Sequence, residues 1–349
     1  MQAWDEGAAA FARATRLRSP AQFATTAAEL SRFTTLPPGC TAPVEILVGD
    51  ARNRPQSKQW QAHWRKTPLP PGSVWDLGDD RYVTGPEYFY LRQAPKLTFV
   101  QAVLLGLEIC GFYSTVMRAP YRQHCDDVRQ AQGGILLANP WPPASWDMQI
   151  DHQDSLMRQG FVVRRPLTTS TSLSAYLRRA LSSNSNSRAL IAAGYVMDNS
   201  HSPMESRLYM RYCLPRRYGG LNLMPVELNR GFELSPDIVA ATGITNYSVD
   251  LYWPTGGIAI EYQGRYSHQG LTAEQKDRLK RNILETAGVR IISIDSRQFE
   301  NDDILDLYAR EIAAAIGVPA WRLKASPSES SKRLALMDEL RAWDVDLYR

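Results

Sequence analysis

The sequence predicts an α/β protein, with a mixed-sheet α/β sandwich in its C-terminal half and a smaller α+β domain before it. Two runs at 248–253 and 258–263 alternate with the two-residue period of strands. Residues 254–257, Pro-Thr-Gly-Gly, supply a turn between them. A helical pattern precedes this hairpin. A second one follows it and leads into the β-branched run RIISI at 290–294. Helix, hairpin, helix, strand and helix then stack as layers around one sheet.

The chain has 349 residues, 44% of them hydrophobic and 22% charged, enough for two domains with ordinary cores. Cys40, Cys110, Cys125 and Cys213 form no CxxC pair, and only His124 lies beside a cysteine, so reduced thiols are expected rather than a structural zinc site. Asp5 and Glu6 interrupt the N-terminal segment, which argues against a secretory signal. The apolar stretch 97–113 contains Gln101 and Glu108 and reads as a buried helix rather than a membrane span. A cytoplasmic protein without membrane association is expected. A net charge of +4 permits a nucleic-acid partner without demanding one.

Along the chain, residues 1–36 read as a helical segment, with the helix at 21–33. Residues 37–199 read as the α+β domain, 200–317 as the mixed-sheet domain, and 318–349 as a linker and C-terminal helix. In the α+β domain, 44–48 and 82–84 read as strands and 69–72 as a turn. Gly85-Pro86 opens a largely buried helical region, and the Pro- and Trp-rich stretch at 140–146 reads as an irregular loop. Helices are expected at 172–181, 187–197, 303–316 and 332–343. The polar run ASPSESS at 325–331 reads as the linker to the last, which would pack on the body or on a partner protein.

The hairpin carries the chemistry. With its turn centred on Thr255 and Gly256, Asp250 stands opposite Glu261, and Gln263 projects from the same face two residues on. Like charges across a ladder repel, and a divalent cation would offset that; two carboxylates with an amide or carbonyl oxygen suit Mg²⁺ or Mn²⁺. A hairpin face with two solvated carboxylates would read the same way. Glu205 completes a capping box in Ser202-Pro-Met-Glu205, a role that stands with or without a site. After the loop containing Arg265 and His268, a second box at 272–275 opens a helix that ends at Gly288. Leu279, Ile283 and Leu284 form its expected buried stripe. Lys276, Arg278, Lys280 and Arg281 lie mostly elsewhere, as phosphate contacts or as a solvated face.

These residues, with Val249-Asp-Leu-Tyr-Trp-Pro254, Ile260-Glu-Tyr-Gln-Gly264, His268, Asp277-Arg278 and Ala287-Gly-Val-Arg-Ile-Ile292, resemble the PD-(D/E)XK nuclease superfamily. The likeness is to the branch containing very-short-patch repair endonucleases and related uncharacterised C-terminal domains. It covers about a third of the chain and implies a restriction-endonuclease-like α/β sandwich. It also implies metal ligands at Asp250 and Glu261, an accessory acid at Glu205, and catalytic roles for Gln263 and His268. DNA contacts would come from Arg278, Arg281, Lys276 and Arg265. Gln263 departs from the family's usual lysine; it can orient water or donate an oxygen but brings no charge. The turn-like motifs of residues 44–86 resemble AbiEi-type antitoxin and regulator proteins, without room before them for a complete winged helix. The expected function is Mg²⁺- or Mn²⁺-dependent DNA endonuclease activity in repair, defence or mobile-element biology. The alternative is a non-catalytic antitoxin-like or transcriptional regulator that keeps the fold. A partner-binding scaffold, resting on the tail helix and nine tryptophans, is a third reading.

Overall fold

The computed structural model describes residues 44–48, 52, 58–64, 70–78, 81–115, 162–163, 165–181, 187–263 and 271–342. The helix expected at 21–33, the loop at 140–146, Arg265 and His268 lie outside the described residues. The chain divides into two compact units: residues 1–92, 117–147 and 172–185 form one, and residues 93–116, 148–171 and 186–349 form the other.

In the first unit, β1 (Val44–Val48) pairs in parallel with β2 (Trp60–Trp64), a strand that sequence reading missed. A turn through Gly72, at φ 87°, leads into the antiparallel pair β3 (Val74–Gly78) and β4 (Arg81–Thr84). Helix α1 (Pro86–Gln93) begins with proline, whose missing N–H costs nothing at the first helical position.

The second unit opens with α2 (Phe99–Cys110), the buried helix the sequence predicts. Its two polar interruptions both have work. Gln101 closes a capping box with Thr98, and the buried Glu108 accepts from the Thr115 N–H at 2.9 Å and hydroxyl at 2.6 Å. Strand β5 (Tyr113–Ser114) pairs with β6 (Val162–Val163). Helix α3 (Ser170–Ala180) starts where Ser170 donates its N–H and hydroxyl to Asp198. From residue 172 it belongs to the first unit, where Tyr176 and Ser73 hydroxyls meet at 2.6 Å. Helix α4 (Arg188–Ala193) is capped by Ser187 and is shorter than the expected 187–197. Among the described residues no helix is long and apolar enough to cross a membrane, and the Cys110 and Cys213 side chains are buried.

A four-stranded mixed sheet flanked by helices follows α5 (Pro203–Cys213). In chain order come strand β7 (Glu227–Glu233), helix α6 (Pro236–Thr242), strands β8 (Asn246–Trp253) and β9 (Ile258–Gln263), helix α7 (Leu271–Thr286) and strand β10 (Arg290–Asp295). The order is β10-β9-β8-β7, with β9 and β10 parallel across the α7 crossover and the other pairs antiparallel. The hairpin turns through Pro254–Gly256, and Gly257 adopts φ 56°. Leu251 faces Ile260 and Trp253 faces Ile258, in the expected register. On that face Trp253 is wholly buried. Its indole N–H donates to the Leu223 carbonyl at 2.7 Å and its ring meets Tyr212 of α5 edge-on. A second cluster joins Val249 and Ala259 to Leu284 of α7 and Val289, with Ile291 packed against it.

Thr272 lies inside α7 rather than before it, so it does not cap the helix as expected. Leu279 does not join the buried stripe: it is exposed, and Lys280 turns inward with Leu284 one turn on. After α8 (Ser296–Phe299) and α9 (Asp302–Ala315) comes α10 (Pro327–Ala342), so most of the stretch expected as a linker is helical. Ser326 and Glu329 bond reciprocally around Pro327, the same device that starts α5. Helix α10 packs on the body through Leu336, Met337 and Leu340.

Gly219 permits this docking. At φ 90°, a Cβ there would lie 2.3 Å from the Lys332 carbonyl oxygen of α10. Gly219→Ala should therefore cost about 2–4 kcal/mol, combining left-handed strain with overpacking. Urea unfolding measures that loss, and proteolysis within 327–342 should accelerate; unchanged cleavage there would refute the close packing.

Candidate functional site

The site forms where β8 and β9 part. Their ladder extends no further than Leu251 opposite Ile260, while β8 stays paired with β7 and β9 stays paired with β10 as far as Gln263. The Asp250 carboxylate occupies the split, where Oδ2 accepts from the Tyr262 N–H at 2.7 Å. Glu261 follows on β9, paired with Ser293 of β10, and Gln263 pairs with Asp295. Asp295 is committed to capping α8, accepting from the N–H groups of Arg297 and Gln298 at 2.8 Å.

A third carboxylate enters from α5. Glu205 is buried in the first turn, where its N–H donates to the Ser202 hydroxyl at 3.2 Å. Its Oε2 accepts from the His201 N–H at 2.7 Å and from the Asn229 amide at 2.5 Å. Asn229 itself breaks β7: it stands at φ 48° between the pairs Leu228–Leu251 and Arg230–Val249. Its amide also donates to the Asn199 carbonyl, and Asn199, at φ 72°, donates back to the Leu228 and Asn229 carbonyls. Asparagine tolerates this left-handed backbone better than other side-chain-bearing residues, and such conformations gather at sites that need a precise approach. A cavity of about 520 Å³ opens beside the two asparagines, bordered by Ser170, Asp198, Glu227 and Arg230.

Lys280 supplies the cation. It reaches from α7 to donate to Glu261 Oε1, with its ammonium 5.9 Å from the Tyr247 ring centre. Sequence reading placed this lysine with the surface cations because hydrophobic periodicity does not count an inward-turning charge. It missed Asn199 and Asn229 too, for which the only signal was an asparagine within a strand pattern. Arg278 is exposed, which fits a solvated helix face as well as a phosphate contact. Arg281 is exposed as well, with its guanidinium 2.5 Å from the Ser293 hydroxyl. Lys276 lies on α7, but its side chain is outside the described residues.

The electrostatics are unbalanced toward negative charge. Burial raises the Asp250 carboxyl well above its usual range, and Glu205 and then Glu261 push it further, while the Tyr262 N–H and Lys280 oppose them. Burial also raises Glu205, against the donors from His201, Asn229 and Ser202. Among the described residues, no three His, Cys, Asp or Glu side chains are disposed to hold one metal ion. Mg²⁺ needs fewer: one or two carboxylates suffice when carbonyl, amide and water oxygens complete its shell. Asp250 and Glu261 with Gln263 fit that donor set, and three carboxylates against one lysine leave a charge deficit of the right sign.

Comparison of the chain with protein-family models, curated proteins and solved structures finds no match.

A carboxyl with a raised native pKa makes the folded state hold its proton more tightly than the unfolded state. Its contribution therefore turns unfavourable as pH climbs from the ordinary carboxylate value through the raised one. Asp250→Asn keeps an acceptor for Tyr262 and removes that burden. It should raise Tm near neutral pH by roughly 2–4 °C, the effect of about 1 kcal/mol in a domain of this size. The gain should vanish below about pH 4, where the carboxyl is protonated in the unfolded state as well as in the native one. A variant that melts lower than wild type at neutral pH would contradict the charge imbalance.

Proposed function

We propose that residues 200–317 are a PD-(D/E)XK-type domain, a restriction-endonuclease-like sandwich that hydrolyses DNA phosphodiester bonds with Mg²⁺ or Mn²⁺. The observation that carries this reading is the gathering of Glu205, Asp250, Glu261 and Lys280 where the hairpin splits. Asp250 and Glu261 would hold the cation, which when bound supplies charge neutralisation at phosphate and an acidified water. Glu205, held by the His201 N–H and the Asn229 amide, adds negative potential beside Asp250 without needing to move.

Lys280 answers the difficulty Gln263 poses. A neutral amide cannot stabilise charge building on a phosphate, whereas an ammonium on α7 can, and it already lies against Glu261. Gln263 then orients water by hydrogen bonding, and Arg278 and Arg281 face the phosphate backbone from the same helix. Repair, defence and mobile-element processing all employ such chemistry. A non-catalytic, antitoxin-like or transcriptional regulator is the second reading, favoured by Gln263 and by the absence of a third carboxylate ligand among the described residues.

Full-length protein incubated with supercoiled and linear DNA and Mg²⁺ or Mn²⁺ should cleave. Cleavage should be lost in Asp250→Ala/Glu261→Ala and fall about 10²–10³-fold in Lys280→Ala, as when one preorganised charge-stabilising donor is removed. Lys280→Arg should restore part of it. Millimolar Mg²⁺ should raise Tm in wild type and not in the double variant. Equal cleavage by the double variant would reject the site. DNA binding by both forms without cleavage would favour the regulator.

A further inference from the structure

A second feature of the larger unit has no part in the carboxylate site. Phe99, at the start of α2, stacks on Tyr218 with ring centres 3.7 Å apart and planes within 15°. Tyr195 closes the cluster edge-on against both, at 5.7 and 5.5 Å. Arg217 lies over the Tyr218 ring at 4.8 Å and donates to the Tyr195 hydroxyl, while remaining exposed. The neighbouring Arg216 donates to the Lys324 carbonyl at 2.6 Å, bringing up the turn Ala320–Leu323. There Trp321 is 64% exposed, the most exposed large hydrophobic side chain among the described residues, and Arg322 sits 5.5 Å from its ring centre.

Charge decides what such a surface accepts. The nearby carboxylates are engaged: Glu329 by Arg216 at 2.8 Å and by Ser326, and Glu339 by Thr98. Arg217, Arg322 and Lys324 form no ion pair with any described residue. An exposed indole, and an exposed guanidinium stacked on the half-buried Tyr218 ring, beside cations without an ion-pair partner among the described residues, suit a polyanion that offers flat π-faces. Duplex DNA offers phosphates but keeps its bases stacked inside, so the rings would find no partner; an unpaired strand offers both. An acidic peptide could pair with the cations, but an unpaired nucleic-acid strand supplies a phosphate and a flat base at every step along its length.

We propose that Phe99, Tyr195, Arg217, Tyr218, Trp321 and Arg322 form a binding surface for single-stranded nucleic acid, with unpaired bases stacking on the aromatic–guanidinium platform and on Trp321. The surface works without cleavage, so it is separable from the carboxylate chemistry.

The test is fluorescence anisotropy of the full chain, in EDTA, with a labelled thymidine oligomer of about 15 nucleotides and a duplex of equal length. The single strand should bind more tightly than the duplex. Trp321→Ala and Arg217→Ala should each weaken it about tenfold to a hundredfold. Arg217→Ala should also reduce the dependence of affinity on salt by about one phosphate contact. Arg217→Lys, which keeps charge but loses planar stacking, should fall between. Thermal melting shows whether each variant remains folded. Failure of wild type to bind, equal binding of strand and duplex, or folded variants that bind like wild type would each overturn the proposal. Absence of cleavage with binding intact would count only against the nuclease reading.

Discussion

The Asp250 carboxylate accepts from the Tyr262 N–H just where the β8–β9 ladder has ended, and the arrangement of the site follows from that hydrogen bond. A side chain wedged between two strands keeps them apart while still satisfying the exposed N–H. It also holds the carboxylate in a confined, poorly solvated place. There Glu205 and Glu261 raise the cost of its charge, and Lys280 only partly offsets it. A site that concentrates negative charge in this way is destabilised by its own geometry. Such tension is tolerated where function requires it and is compensated in the surrounding structure.

That compensation is visible in the supports. Trp253, two pairs further along the same hairpin, is buried and hydrogen-bonded, so the intact end of the ladder fixes the split end. Asn199 and Asn229 bond one another's chain segments across the break in β7, and the Asn229 amide also donates to Glu205. The acids are thus held by groups that are themselves fixed, which is what preorganisation means in physical terms.

The hairpin was legible in the sequence because a strand's period of two makes its register explicit: the alternation of Val249, Leu251 and Trp253 against Ile258 and Ile260 leaves one register in which all are buried together. The buried α2 was legible from near-continuous apolarity, whereas the bonds that satisfy Gln101 and Glu108 belong to the folded structure. Lys280 was not legible. The same periodicity that buries Leu284 can place either residue 279 or residue 280 beneath the helix, and hydropathy favours leucine. The pairing with Glu261, which reverses the choice, exists only in three dimensions. The start of α10 was available and overlooked: Ser326-Pro327-Ser-Glu329 repeats the signature of Ser202-Pro203-Met-Glu205, but its serine-rich setting reads as linker. Strand β2 was missed because its partner β1 is parallel and separated from it, leaving no hairpin turn to mark it.

Helix α5 joins these parts. Its first turn carries Glu205 into the site, where the partial positive charge of a helix N-terminus favours a carboxylate that burial disfavours. Its last turn carries Arg211, wholly buried, to Asp306 of α9 at 2.5 Å, where the opposite pole favours a cation. Asp306 also accepts from Arg333 of α10 at 3.3 Å, so one carboxylate ties the end of α5 to both following helices. Tyr212, beside Arg211, meets Trp253 beneath the hairpin and donates to the Leu305 carbonyl of α9. One helix therefore fixes the acid at the site, the sheet beneath it and the helices behind it. A displacement of α5 along its axis would move Glu205 relative to Asp250 while straining the Arg211 contact. The position of the third carboxylate is consequently set as much by a buried ion pair at the far end of the helix as by the hydrogen bonds around it.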